Sequence, residues 1–201
     1  PYDASLKVTY TVNAAGFVNV RSSYTGGKGE NLPELPRLGM RFRLPRAMES
    51  FSYYGRGPEE NYWDRNNGTL PGLYTTTAAA ENYPYVRPQE TGHHTDTEWI
   101  RFKGLEIVAD DRMEFNVLCN AIEENDPATN TKRDYQWRNF FEGDKATQND
   151  RRQMHTNDID TSTNDFVEVC LDYRQTGVGG YDSWGSRPEA RFTLRTDGSY
   201  E

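Results

Sequence analysis

Apolar and polar residues alternate along much of this chain with a period of two, the signature of strands that bury one face. Leu6, Val8, Tyr10 and Val12 alternate with polar neighbours, and Asn13-Ala-Ala-Gly16 turns the chain into a second run over 17–23. Gly26-Gly27-Lys28-Gly29 breaks that run. Two short strands are predicted over Leu38–Leu44 and Met48–Tyr54, on either side of Pro45. Three more are predicted over Glu98–Lys103, Leu105–Ala109 and Glu114–Ala121, and a last two over Phe166–Tyr173 and Ala190–Arg195. Two segments lack the period. Residues 66–91, with Pro84, Pro88 and two glycine breaks, are expected to run irregularly over the surface. The charged stretch 123–152 is expected to be an exposed insertion, with a short helix or extra strand around Tyr135–Phe141. No helical period, helix–strand alternation or internal repeat appears, which excludes a (β/α)₈ barrel. The expectation is an all-β chain, with one antiparallel β-sandwich domain over residues 1–201.

Two dense stretches interrupt the alternation. Tyr54-Gly-Arg-Gly-Pro-Glu-Glu-Asn-Tyr-Trp-Asp-Arg65 follows one predicted strand, and Gly177-Val-Gly-Gly-Tyr-Asp-Ser-Trp-Gly185 lies between two others. Three glycines in four residues let the second turn sharply and carry Asp182 and Trp184 at its tip. An indole on a polar loop tip has two readings. It stacks on the apolar face of a sugar ring, with Asp182 accepting a hydroxyl hydrogen bond, or it folds back to plug the end of the sandwich.

Composition narrows the partners. The 201 residues suffice for one sizeable β domain but not for a barrel enzyme with an accessory domain. A net charge of −8 and a pI near 5.0 argue against nucleic acid or an anionic membrane as partner, since phosphates would be repelled. No apolar run approaches the length of a membrane span. Aromatic residues form 13% of the chain despite a mean hydropathy of −0.95, which suits both sandwich layers and sugar platforms. The chain opens Pro1-Tyr2-Asp3 without an initiator Met, as an excised piece of a longer polypeptide would. Cys119 and Cys170 lie within alternating runs and are expected to be buried free thiols. Asn67-Gly68-Thr69 fits a glycosylation sequon, a weak three-residue pattern.

A complete catalytic set is not evident. A retaining glycosidase needs two carboxyls about 5–5.5 Å apart. Glu59-Glu60 is the most suggestive pair, but adjacent side chains diverge. Anchoring is the better reading, in which Arg56, Glu59, Asn61, Asp64 and Arg65 pin the long loop that follows. His93, His94 and His155 are the only histidines. They read as solvent-exposed loop residues, or else as an acid or base for proton transfer at a sugar's anomeric oxygen beside a carboxylate. No familiar zinc spacing surrounds them. Residues 157–165 mimic a calcium loop but place Thr163 and Val169 where glycine and glutamate are needed. Tyr181-Asp-Ser-Trp-Gly185 lacks the first glycine of a nucleophile elbow.

Three motifs in order carry a family resemblance. The 54–65 run resembles the Gly-x-Gly-Pro-x-Glu-Asn-Tyr-x-Asp-Arg run of the C-terminal domain of family 2 glycoside hydrolases. The loop from Gly177 to Trp184 resembles that domain's Gly-x-Gly-Gly-x-Asp-Ser-Trp loop. Tyr85-Val-Arg-Pro-Gln-Glu-Thr-Gly92 is similar to its Tyr-Val-x-Pro-x-Glu-x-Gly segment. Together they identify the chain as similar to the small-chain domain of LacZ-type β-galactosidases.

The resemblance implies a large antiparallel supersandwich of the galactose-mutarotase type, without a catalytic carboxylate. Its acid/base and nucleophile glutamates belong to a barrel domain of the parent chain, along with any Mg and Na, so no cofactor is expected in this segment. The implied partners are that barrel domain and the aglycone side of a β-galactoside, with homo-oligomerisation as a further expectation. Trp184 is implied to stack on the aglycone sugar, while Asp182 and Ser183 shape the loop more than they touch substrate. The chain begins partway into the family's domain and stops at Glu201, where one further strand is expected after the turn at Asp197-Gly198-Ser199. First strands of the sandwich would thus be missing, leaving exposed apolar surface. Two other functions stay open, a mutarotase-like epimerase using His93, His94 or His155, and a stand-alone carbohydrate-binding module.

Overall fold

A computed structural model describes residues 3–29, 32–83, 85, 90–122, 164–182 and 185–201. Among the described residues there are nine strands and two single-turn 3₁₀ segments, so the all-β expectation holds. The strands are β1 (Ser5–Val12), β2 (Val18–Thr25), β3 (Arg37–Pro45), β4 (Ser50–Gly57), β5 (Leu70–Thr77), β6 (His93–Phe102), β7 (Leu105–Leu118), β8 (Phe166–Gln175) and β9 (Ser199–Tyr200). They form a three-stranded sheet, β1-β2-β9, and a six-stranded sheet, β3-β8-β7-β6-β4-β5. No helix among the described residues is long and apolar enough to cross a membrane. Predicted features at 123–152, around His155 and at 157–163 lie outside the described residues.

The chain divides into two compact units. One comprises Pro1–Met40, Trp63–Arg65 and Asp172–Glu201. In it β1 and β2 form the antiparallel hairpin that the alternation predicted, closed where Ala15 and Phe17 N–H groups donate to Asn13 Oδ1. Every β1 residue is exposed, including Leu6, Tyr10 and Val12. Tyr24 anchors the far end of the hairpin, stacking on Tyr200 and donating its hydroxyl to the Thr196 carbonyl at 2.8 Å. The turn at Asp197 and Gly198 leads into a two-residue strand, β9.

The predicted strand at Ala190–Arg195 is corrected. Ala190–Phe192 is a 3₁₀ turn, and Leu194 alone bridges Leu35. The Thr176 hydroxyl accepts the Leu194 N–H at 2.9 Å, and the Gly177 N–H goes to the Phe192 carbonyl. A side-chain acceptor here takes the place of a strand ladder.

The other unit comprises Arg41–Tyr62 and Asn66–Leu171. Its core is built from the inward positions of β4, β6, β7 and β8, with Phe51, Tyr53, Ile100, Phe102, Phe115, Val117, Val167 and Val169 all buried. Phe115 meets Phe51 edge-on at 5.9 Å and Tyr53 at 5.1 Å, the favoured aromatic geometry. Both cysteines are buried. Along β3 the arginines face acidic residues of β8. Arg41 and Arg43 reach the buried Glu168, and in the first unit Arg37 reaches Asp172.

Three strand predictions change here. Residues 66–91 are not wholly irregular, because β5 occupies 70–77. Among the described residues it is an edge strand paired only with β4, it starts Leu70-Pro71, and its leucines face solvent, so it lacks an apolar alternation. The two strands predicted at 105–109 and 114–121 are one strand, β7. Register shifts opposite His94–Trp99 accommodate the polar Asp110-Asp111-Arg112 run within it. Finally, β6 starts at His93 rather than Glu98, with His93 and His94 paired to Asn116 and Phe115.

Candidate functional site

The 54–65 motif is a turn that saturates its own hydrogen bonds. Asn61 is fully buried and uses the whole of its amide. Its Nδ2 donates to the Arg56 and Glu59 carbonyls at 3.0 and 3.1 Å, and its Oδ1 accepts from the Thr95 N–H and hydroxyl at 3.0 and 2.6 Å. Glu60 accepts from the Gly92 N–H at 2.8 Å and from the Tyr62 and Tyr85 hydroxyls. Glu59 accepts from the Tyr83 hydroxyl at 2.6 Å. The anchoring reading of Glu59-Glu60 therefore holds, and the motif at 85–92 is tied to it through Tyr85 and Gly92. Burial, then the Glu59 hydrogen bond, pushes the Tyr83 phenol well above its ordinary value.

The histidines are corrected outright. His93 and His94 are not exposed loop residues but lie on β6 with no accessible surface. His93 places Nδ1 2.8 Å from Asn116 Oδ1 and Nε2 3.1 Å from Glu114, with its ring stacked on Tyr62. Asn116 Nδ2 donates to the Thr91 carbonyl at 2.7 Å, which orients the amide so that Oδ1 accepts from His93. His94 sets Nε2 2.7 Å from Glu81 and Nδ1 2.9 Å from the Arg56 carbonyl, with its ring stacked on Phe115. Acceptors thus face both nitrogens of each ring. This is a buried, internally satisfied network in which neither histidine offers a nitrogen to a ligand. His155 lies outside the described residues. Among the described residues, no group of three or more His, Cys, Asp or Glu side chains is arranged to hold a metal ion.

Asp64 acts on a segment distant from its own motif. It was expected to pin the loop that follows it, but its carboxylate instead holds the glycine-rich loop more than 100 residues later. Asp64 Oδ1 accepts the Val178 N–H at 3.1 Å, and Oδ2 accepts the Gly179 N–H at 2.8 Å and the Tyr181 hydroxyl at 3.0 Å. The glycines explain how the carboxylate gets so close. A Cβ on Gly177 would sit 2.5 Å from Asp64 Cγ, and Gly179 has a φ of +63°, where a Cβ would lie 2.5 Å from the Ser186 carbonyl. The loop closes on itself through the Gly180 N–H to the Ser186 carbonyl at 2.8 Å. Trp63, next to Asp64, is wedged edge-on against Phe192 at 5.7 Å and lies under the Arg174 guanidinium at 4.4 Å.

The stem of the loop is thus fixed. Tyr181 is 55% exposed and Asp182 is exposed beside it. Lost hydration, followed by the hydrogen bond to Asp64, raises the Tyr181 phenol above its ordinary value. Ser183 and Trp184 lie outside the described residues. The missed signal was the pairing of an acidic residue in one motif with consecutive free N–H groups in the other, an anion-accepting loop geometry.

Comparison with known proteins places the whole chain in one family. The family model described as beta galactosidase small chain matches residues 1–201. The β-galactosidase of Priestia megaterium is 31% identical over 202 residues, covering 98% of this chain. That of Streptococcus thermophilus is also 31% identical, over 99% of this chain. That of Clostridium acetobutylicum is 49% identical over 73 residues, or 36% of this chain. The chain spans 17% of the length of the first two relatives. With its full length matched by the family and nearly all of it aligned to β-galactosidases, this chain belongs to the β-galactosidase small-chain family.

Proposed function

We propose that the chain is a non-catalytic sandwich domain of an exo-acting, retaining β-galactosidase, and that its glycine-rich loop supplies Trp184 to the aglycone subsite. The observation that carries this reading is the loop itself. Its stem is held by a carboxylate and two backbone N–H groups, while Tyr181 and Asp182 face solvent. A fixed stem with an exposed end is what an aromatic platform needs, since an ordered ring loses little entropy when sugar docks. The indole would lie against the C–H face of the aglycone sugar and Asp182 would accept one of its hydroxyls, contributing about 1 kcal/mol beyond area burial.

In this reading the reacting carboxylates, and any Mg or Na, belong to a barrel domain of a longer polypeptide. Coverage of only 17% of the relatives' length is consistent with that. The epimerase alternative needs a histidine that can reach sugar, and both described histidines are buried with their nitrogens occupied.

Polarimetry of freshly dissolved α-lactose with the purified 201-residue chain tests this directly, with parallel assay of released galactose. The expected trace matches buffer and no galactose appears. Accelerated relaxation without galactose would establish an epimerase, and released galactose would place a catalytic pair within the chain.

A further inference from the structure

We infer that Asp64 is the positioning residue of the glycine-rich loop, setting the stem that leads into the segment proposed to serve the aglycone. The inference rests on the aglycone role proposed above. It goes beyond that role by naming the group in a distant motif that makes the loop competent.

Three features of the geometry carry it. The carboxylate accepts three hydrogen bonds, from the Val178 and Gly179 N–H groups and from the Tyr181 hydroxyl. Two successive N–H groups on one carboxylate fix the local backbone direction, because turning the stem would cost at least one of them this acceptor. Gly177 is the contact point, since any side chain there would occupy the space of the carboxylate. Asp64 is itself held from behind. Its neighbour Trp63 is fixed between Phe192 and Arg174, so the carboxylate is presented by a packed side chain rather than a mobile turn. Both residues would act through the loop.

Two substitutions reach the same contact from opposite sides. Asp64→Asn removes the charge and turns one acceptor into a donor that faces N–H groups. Gly177→Ala displaces the carboxylate by steric contact. In the full-length enzyme, hydrogen exchange of the peptide covering 176–182 is expected to accelerate in both variants. The ratio of KM for lactose to KM for a small aryl galactoside is expected to rise about fivefold, the value of one lost aromatic stack. Trp184→Ala serves as the reference. Its shift in the ratio should match that of Asp64→Asn, and the double variant should shift no further.

Unchanged exchange in Asp64→Asn would overturn the inference. So would faster exchange with an unchanged KM ratio while Trp184→Ala still shifts it, because the aglycone reading would stand without Asp64. A Trp184→Ala enzyme with an unchanged ratio would instead refute the aglycone reading, and the positioning role with it. Equal loss of kcat on both substrates in Asp64→Asn would mark a purely structural residue and also overturn the inference.

Discussion

Replacing Asn61 by alanine should be among the most damaging single changes in this chain. The side chain is fully buried and makes four hydrogen bonds of 3.1 Å or shorter. The Arg56 carbonyl keeps a second partner in His94, and the Thr95 hydroxyl hydrogen is free to rotate. The Glu59 carbonyl and the Thr95 N–H lose the side-chain partners shown for them. Each buried polar group left unsatisfied costs about 1–3 kcal/mol, so the change should cost about 4 kcal/mol. Domains of this kind are stable by about 5–15 kcal/mol, so this is a large share.

Urea unfolding of the 201-residue chain, followed by tryptophan fluorescence, should show the midpoint fall by about 2 M for a slope of about 2 kcal/mol per M. Asn61→Asp should be no milder. It keeps the acceptor for Thr95 but turns a carboxylate oxygen toward the two carbonyls that the amide served. Thr95→Val removes one of the four bonds and should cost only about 1 kcal/mol. A loss below about 1 kcal/mol for Asn61→Ala, with an unchanged slope, would refute the claim that this amide holds the turn.

Alkaline pH should weaken the fold in a defined window. Burial, then the Glu81 charge, raises the Tyr53 phenol, and burial raises Tyr83 and the Cys119 thiol, from ordinary values of 10.0 and 9.0. The folded chain therefore holds protons that the unfolded chain releases first. The stability these groups contribute is complete below about pH 9 and is lost as pH rises beyond it, a slope that Tyr53→Phe should flatten in urea titrations at pH 8 to 11. Thiol labelling of Cys119 and Cys170 should be slow in buffer and track global unfolding in urea, and fast labelling of either in buffer would contradict their burial. On the β1–β2 hairpin, Tyr10→Thr and Val12→Thr should change stability by less than about 0.5 kcal/mol, because both side chains are exposed. They should also reduce self-association in sedimentation velocity, since they remove apolar surface from an open strand.

What could be read from sequence followed from periodicity. The β1–β2 hairpin alternates visibly because it pairs along a simple ladder with one apolar face in its sequence. Period two becomes uninformative once both faces are covered, as along His93–Thr97 and Met113–Leu118. There, polar residues that look solvent-facing are paired with one another, which is why the two histidines were misplaced. Tyr74 on β5 turns toward Tyr53 while its leucines face water, so that strand carries no apolar alternation. The motif at 54–65 was legible as an anchor, but the partner of Asp64 was not. A contact spanning 114 residues leaves no local spacing to read.

The most direct test of the central claim is the kinetics of Trp184→Ala in the full-length enzyme, on lactose and on a small aryl galactoside. Loss of an aglycone stack worth about 1 kcal/mol predicts that KM for lactose rises about fivefold while KM for the aryl substrate moves less. Equal changes in the two KM values, or none, would contradict the assignment of this loop to the aglycone subsite.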